Sequence, residues 1–394
     1  MEKAKISELG TDVIYLAACA LHGHLPDKSQ LLQMDMKQVF RMAKKHSMQS
    51  IVYICIEKCR EQYGTEIIDD DLYLAWKQSY LKALKRLILF DIEREELNRF
   101  LDKNGIWHLS LKGAVLQHYY PTLGMRQMTD NDILVDAQYA EKIRDYMTAR
   151  GYTAYSYGRG CHDTYIKDSL NFEIHRKLVS ETKQSKKAVD YYKNVRQMLQ
   201  SDPVSSELYF NDEDFYVYFI YHAYKHFASA GCGLRTLMDI AVFMKSKADG
   251  LNFNYVEAQL SRLGIAEYER MSRRIALLLF SEEYARCRIA AEPLSEDERA
   301  MLNYYISSGT FGTELQRIEN NLSRMSDSSR ITRATKLRYF LRRIFPDMDY
   351  YRNAHPVAHK FIVTIPVLWA VRIVRGLRKS RAVAGELKHL KKIE

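Results

Sequence analysis

Apolar residues recur at three- and four-residue spacing through the first hundred positions, the repeat that lays one face of a helix against a core. VIYLAACALHGHL (13–25), MKQVFRMAKKH (36–46) and QSIVYICIEKCREQYG (49–64) each predict a helix. A further run of some thirty residues from Asp71 stops at Asn104-Gly105, a C-terminal helix signal. From Ile106 the pattern shortens. IWHLSL, DILVD, TAYSY, DTYIK and FEIHRKL are brief β-prone runs, interrupted by two helical stretches, AVLQHYY and YAEKIRDYMTARG. The polar stretch Lys167–Asn171 predicts a turn that joins DTYIK to FEIHRKL as a hairpin. Helical spacing returns from about Asp212, with a capping-box start at Ser295-Glu296-Asp297-Glu298. The expected organisation is an N-terminal helical region over 1–105, a small α/β module over 106–180, a helical domain over 181–330 and a tail over 331–394.

Composition narrows the class. With 394 residues, 47% hydrophobic and 27% charged, the chain is long enough for a substantial core and is not disordered; 7 Pro and 17 Gly suit a mostly helical protein. No run of about 18 apolar residues predicts a membrane span, and the first residues do not read as a signal peptide. Six scattered cysteines, without metal-knuckle spacing, read as reduced thiols. The expectation is a cytoplasmic protein.

The net charge of +10 is unevenly spread. Residues 330–394 hold 16 Lys+Arg and 4 Asp+Glu, so the other 329 residues carry a net −2. A broad basic face for nucleic acid is not indicated. Within the tail, residues 361–371 are uncharged, and Arg372, Arg375 and Lys379 follow on one predicted helix face. Residues 356–394 could meet an anionic membrane surface peripherally, contact RNA, or dock on the protein's own core with a solvated basic side.

The chemistry concentrates between residues 111 and 175. Asp130 and Asp132 alternate along a predicted strand and so share a face. Glu173 lies in another strand between Phe172 and Ile174; neighbouring strands would bring three carboxylates together, hard oxygen ligands suited to Mg²⁺. A solvated Asp-Asn-Asp turn is the alternative. Lys112-Gly113 falls between a strand and a helix, where a glycine lets a phosphate approach backbone N–H groups and the lysine adds a point charge. An ordinary strand-to-helix turn would look the same.

Taken in order, Leu111-Lys112-Gly113, Arg126, Asp130-Asn131-Asp132-Ile133-Leu134-Val135 and Glu173-Ile174-His175 resemble the nucleotidyltransferase superfamily of polymerase-β-like fold, and more narrowly its uncharacterised bacterial members. HAYKHFASAGCGLRTLMDI (222–240) is similar to a helical element of such proteins. The resemblance implies an α+β fold whose mixed sheet is flanked by helical regions. It implies an enzyme transferring a nucleoside monophosphate from an NTP to a small molecule or biosynthetic intermediate, releasing pyrophosphate. Two Mg²⁺ ions would be held by Asp130, Asp132 and Glu173, with Glu173 or a water beside it as general base. Lys112 and Gly113 would orient phosphates; Lys225 and Arg235 would contact the triphosphate, with Asp239 positioning them. Arg126 would serve either phosphate or structure, and His175 would orient Glu173's surroundings or make a plain cross-strand bond. Zinc on His222 and His226 is disfavoured for want of a third ligand. The pattern departs from the family at Gly113-Ala114, which lacks a hydroxyl, and at polar Asn131. A toxin-like enzyme modifying tRNA or protein, and a non-catalytic binding protein of the same fold, remain alternatives.

Overall fold

The computed structural model describes residues 2–182, 185–326, 331–355 and 361–378. Its N-terminal third is helical, as the spacing predicts. Glu2–His22, Met36–Lys45 and Gln49–Tyr63 are helices, and Asp70–Lys103 is a 34-residue one. The long helix starts where the Asp69 side chain accepts the Leu72 N–H, with Asp70 and Asp71 favourably placed at its positive end. It stops at Asn104, followed by Gly105 at φ +62°, a conformation that suits glycine.

Five strands follow: β1 (His108–Ser110), β2 (Asn131–Val135), β3 (Thr153–Ser156), β4 (His162–Lys167) and β5 (Leu170–His175). They form one mixed sheet in the order β1-β2-β5-β4-β3. β4 and β5 are the predicted hairpin, turning through Asp168 at φ +51°. β5 also pairs with β2 in parallel, and all other pairings are antiparallel. The fold is therefore α+β, with the sheet set among helices.

The sheet is packed on both faces. Ile133, Val135, Tyr165, Phe172 and Ile174 bury one face against Leu87, Phe90, Leu97 and Leu101 of the long helix and against Ile143 and Met147. Leu109, Leu111 and Leu134 join a second, larger core. That core takes in Val13–Leu21 and Ile51–Ile56 from the N-terminal helices and Tyr216–Tyr221, Ile240–Met244, Ile275 and Tyr305 from the C-terminal ones. Bonds between sequence-distant residues stitch these helices together: Ser7 Oγ to Asn303 Oδ1 at 3.1 Å and His46 Nε2 to the Ile306 carbonyl at 3.1 Å. Residues from Val13 to Trp76 and from Leu178 to Ile306 thus contribute to one core, which the sheet module also joins.

The helix Asp212–Ser229, capped by Asn211, brings Tyr218, His222 and Lys225 over the sheet face opposite the long helix. Helix Ile365–Arg378 docks on the preceding helices: Trp369 lies edge-on to Phe345, and Arg372 donates to the Tyr350 hydroxyl at 2.7 Å and the Arg343 carbonyl at 2.9 Å. Val367, Val371 and Val374 on it are exposed. Residues 356–360 and 379–394, and with them much of the expected docking tail, lie outside the described residues. All six cysteines are free, five of them buried. Among the described residues no helix is long and apolar enough to cross a membrane.

Candidate functional site

Register places the acids. Asp132 of β2 sits directly opposite Glu173 on the parallel strand β5. Strand alternation sends Phe172 and Ile174 toward the long helix, so Glu173 and His175 project to the other face with Asp132. His175 Nε2 lies 2.9 Å from Asp132 Oδ1 and 3.8 Å from Glu173 Oε2. Oxygens of Asp132 and Glu173 and a nitrogen of His175 all lie within 4.8 Å of one another. His175 therefore holds Asp132, not only the surroundings of Glu173.

Asp130 is placed differently. It stands one residue before β2, half-buried, and accepts a hydrogen bond from Thr129 Oγ1 at 3.1 Å. It is not a member of the 4.8 Å group, although its charge acts on Lys112, Arg126, Arg235 and Glu173. Between the two aspartates, fully buried Asn131 points the other way and donates Nδ2 to the Phe90 carbonyl at 3.3 Å. The polar departure at this position is thus a tie between the sheet and the long helix.

Lys112 Nζ lies 2.6 Å from Asp132 Oδ1 and 3.2 Å from His222 Nε2. Its backbone adopts φ +45°, unusual for a residue with a Cβ. The helix that follows, Gly113–Leu116, is a single turn continued by the 3-10 turn Gln117–Tyr119. So short a helix has little macrodipole, and Lys112's ammonium is what this loop offers an anion. Gly113 is needed for close approach: a Cβ there would meet Arg126 Nη1 at 2.6 Å and Met128 Sδ at 2.8 Å.

The charges are tightly coupled. Burial works against ionised Asp132, but Lys112 and His175 outweigh it and hold the carboxyl well below the usual range. Burial and the neighbouring Asp132 charge push Glu173 up. Burial also disfavours the Lys112 ammonium, yet Asp132 keeps it firmly protonated. Burial would lower His175, but its bond to Asp132 raises it.

A second buried pair lies alongside. Arg126 Nε and Nη2 donate to Asp239 Oδ1 and Oδ2 at 2.8 and 3.0 Å, and Tyr120 donates to Asp239 Oδ1 at 2.7 Å. Arg126 Nη1 contacts Met128 Sδ at 3.1 Å. Asp239 was expected to position Lys225 and Arg235; it grips Arg126 and Tyr120 instead, because the bidentate guanidinium fits its two oxygens and both are sealed from water. Arg235, half-buried, donates Nη1 to the Gln127 carbonyl at 3.1 Å. Lys225 stays open to solvent, with surrounding protein and the Lys112 charge pushing its pKa down. The surrounding protein and these lysines hold His226, itself open to solvent, at about 4. His222 and His226 meet at 3.2 Å, but among the described residues no third ligand joins them. Lys112, Lys225 and Arg235 thus supply positive charge over a carboxylate floor.

Two residues that sequence spacing gave no reason to choose also lie here. Cys161 Sγ is 3.6 Å from His162 Nδ1, and His162 is the register partner of His175. Burial opposes the Cys161 thiolate, but the hydrogen bond from His162 and the interaction with nearby His175 bring the thiol down to about 4. Only the β4–β5 pairing reveals this proximity.

A family model described as uncharacterised nucleotidyltransferase matches residues 33–281, a span that contains every site residue described above. No curated protein and no solved structure matches the chain.

Proposed function

We propose, from the premise that the chain belongs to this nucleotidyltransferase family, that Asp132, Glu173 and Lys112 carry its transfer of a nucleoside monophosphate from an NTP. The observation that supports this most is the register pairing of Asp132 with Glu173 beneath the Lys112 ammonium. Two carboxylates and a cation so arranged would suit one bound triphosphate.

The donor set suits a hard divalent cation. Two adjacent carboxylates share one face, and burial together with the Asp132 charge pushes Glu173 up, so a cation there would relieve their repulsion. Asp132 and Glu173 would hold Mg²⁺, with Asp130 reaching a second ion or its water, and the metal would neutralise triphosphate charge when bound.

The chain's own groups perform the rest. Lys112 turns from Asp132 toward the β- and γ-phosphates, aided by Lys225 and Arg235. Glu173, or a water held beside it, accepts the proton of an acceptor hydroxyl as that oxygen bonds to the α-phosphorus. The bond from the α-phosphorus to the bridging oxygen breaks, and pyrophosphate leaves. Arg126 and Asp239 fix the wall beside Gly113 and touch no phosphate. Positioning and charge compensation supply most of the rate. A small molecule or biosynthetic intermediate is the proposed acceptor, since no broad basic face outside the tail favours RNA.

Calorimetric titration with ATP, GTP, CTP and UTP plus Mg²⁺, followed by labelled-NTP incubation with cell extract, tests the reading. Saturable binding and a labelled product are expected. No binding of any NTP would overturn it. The exposed Val367, Val371 and Val374 beside tail cations also favour peripheral contact with an anionic membrane. Failure of the full chain to float with anionic liposomes would dispose of that contact.

A further inference from the structure

We propose that Cys161, His162 and His175 form a site for a thiophilic divalent cation of the zinc class, adjoining the hard-oxygen pair Asp132 and Glu173. One sulfur and two imidazole nitrogens lie within 4.8 Å of one another. This donor set selects zinc or cobalt over magnesium, whereas the carboxylate pair does the reverse. The sheet therefore presents two chemically distinct ligand sets side by side.

Spacing fits a tetrahedral ion. Metal–sulfur and metal–nitrogen bonds of about 2.3 and 2.0 Å at a tetrahedral angle separate the two donors by about 3.5 Å. Cys161 Sγ and His162 Nδ1 are 3.6 Å apart. The His162 and His175 rings are cross-strand partners with centroids 4.9 Å apart.

The remaining nitrogens are already arranged for metal binding. Histidines that ligate a metal usually give their other ring nitrogen to a carboxylate, which fixes the tautomer and strengthens the donor. His162 Nε2 faces Glu173 Oε2 at 3.6 Å, leaving Nδ1 toward Cys161. His175 Nε2 is committed to Asp132 at 2.9 Å, and its Nδ1 is buried with no hydrogen bond. A buried ring nitrogen without a partner is costly, and ligation removes that cost.

The backbone is preset as well. The Cys161 carbonyl accepts the Arg176 and Lys177 N–H groups at 2.8 and 3.2 Å, locking the residue beside the end of β5. Cys161 and His175 are buried, while His162 is a third exposed and gives a cation its way in. Three protein ligands leave a fourth position for water or another oxygen. Because His175 serves both ligand sets, an ion on Cys161 also bears on Asp132.

The proposal does not rest on the nucleotidyl-transfer reading, and its test needs no turnover. Metal-free full-length protein is titrated with Co²⁺ and followed by absorption. One equivalent should produce a thiolate-to-cobalt charge-transfer band that survives excess Mg²⁺ and is bleached by Zn²⁺. Cys161→Ser should abolish the band, and His162→Asn should weaken cobalt binding at least about tenfold. Absence of the band in the wild type, or its persistence in Cys161→Ser, would overturn the site. Alkylation of the unmodified protein provides a check that needs no variant. Zn²⁺ should slow iodoacetamide labelling of Cys161, read by peptide mass, and leave exposed Cys287 unchanged; equal Cys161 rates would equally refute it.

Discussion

Lys112 and Asp132 form an ion pair of 2.6 Å in which the carboxylate is almost wholly out of solvent. Removing two such charges from water costs several kcal/mol each, and their attraction offsets this only while both partners remain. His175 and His222 satisfy further bonding capacity on either side.

Asp132→Asn should therefore act on two observables. Pyrophosphate release from NTP and Mg²⁺ should fall at least about 100-fold, since a charge aimed at the reacting phosphates is lost. Stability should fall by about 3 kcal/mol, read from urea unfolding, because Lys112 is left buried with less compensation. Wild-type turnover in this variant would remove Asp132 from the site.

The backbone at Lys112 predicts an inverted Gly/Ala order. At φ +45° a Cβ is strained, so Lys112→Gly should be more stable than Lys112→Ala by about 1 kcal/mol. Both variants should lose NTP affinity in calorimetry, as both lack the ammonium. Greater stability of the alanine variant would contradict the conformation.

Gly113→Ala tests the neighbouring wall. Its new Cβ would press on Arg126 Nη1 and Met128 Sδ. Arg126 cannot retreat without giving up its two bonds to Asp239. A loss of about 1–3 kcal/mol is expected in urea unfolding. An unchanged midpoint would mean that the Arg126–Asp239 clamp yields freely.

His46 sets an acid limit on stability. Its Nε2–H donates to the Ile306 carbonyl at 3.1 Å and its Nδ1 accepts the Leu234 N–H at 3.0 Å, so the folded ring must be neutral. Burial and nearby Lys45 hold its pKa at about 3, against 6.5 for a free histidine. Between those values the unfolded chain binds the extra proton. The contribution is complete above pH 6.5 and is lost at up to about 1.4 kcal/mol per unit as pH falls toward 3. His46→Gln should flatten that limb of the unfolding midpoint against pH. An equally steep limb in the variant would place the titration elsewhere.

Much of the site was legible because strand alternation is a local rule. Asp132, Glu173 and His175 could be named from period-two spacing and the family resemblance, and the β4–β5 turn from Asp168-Ser169. What could not be read were partners far apart in the chain. Asp239 lies 113 positions from Arg126, and the family resemblance set it to position Lys225 and Arg235. Cys161 looked like one scattered thiol until the sheet register put His162 opposite His175. Asp130 was expected to stand with Asp132 on one strand face, but the strand begins at Asn131, and boundaries are the least certain part of a periodic signal.

The shared helical core has a consequence for how the protein is made. Helices near the start of the chain also pack on partners 260 to 296 residues later, as the His46–Ile306 and Ser7–Asn303 bonds record. The sheet can form its local hairpin early on a ribosome, but the body that encloses it closes late. Such long-range closure makes folding slow and leaves apolar helix faces exposed meanwhile. Lys225 and Arg235, carried on the later helices, join the sheet's acids only at that final step, so a partly synthesised chain lacks those two cations at the site.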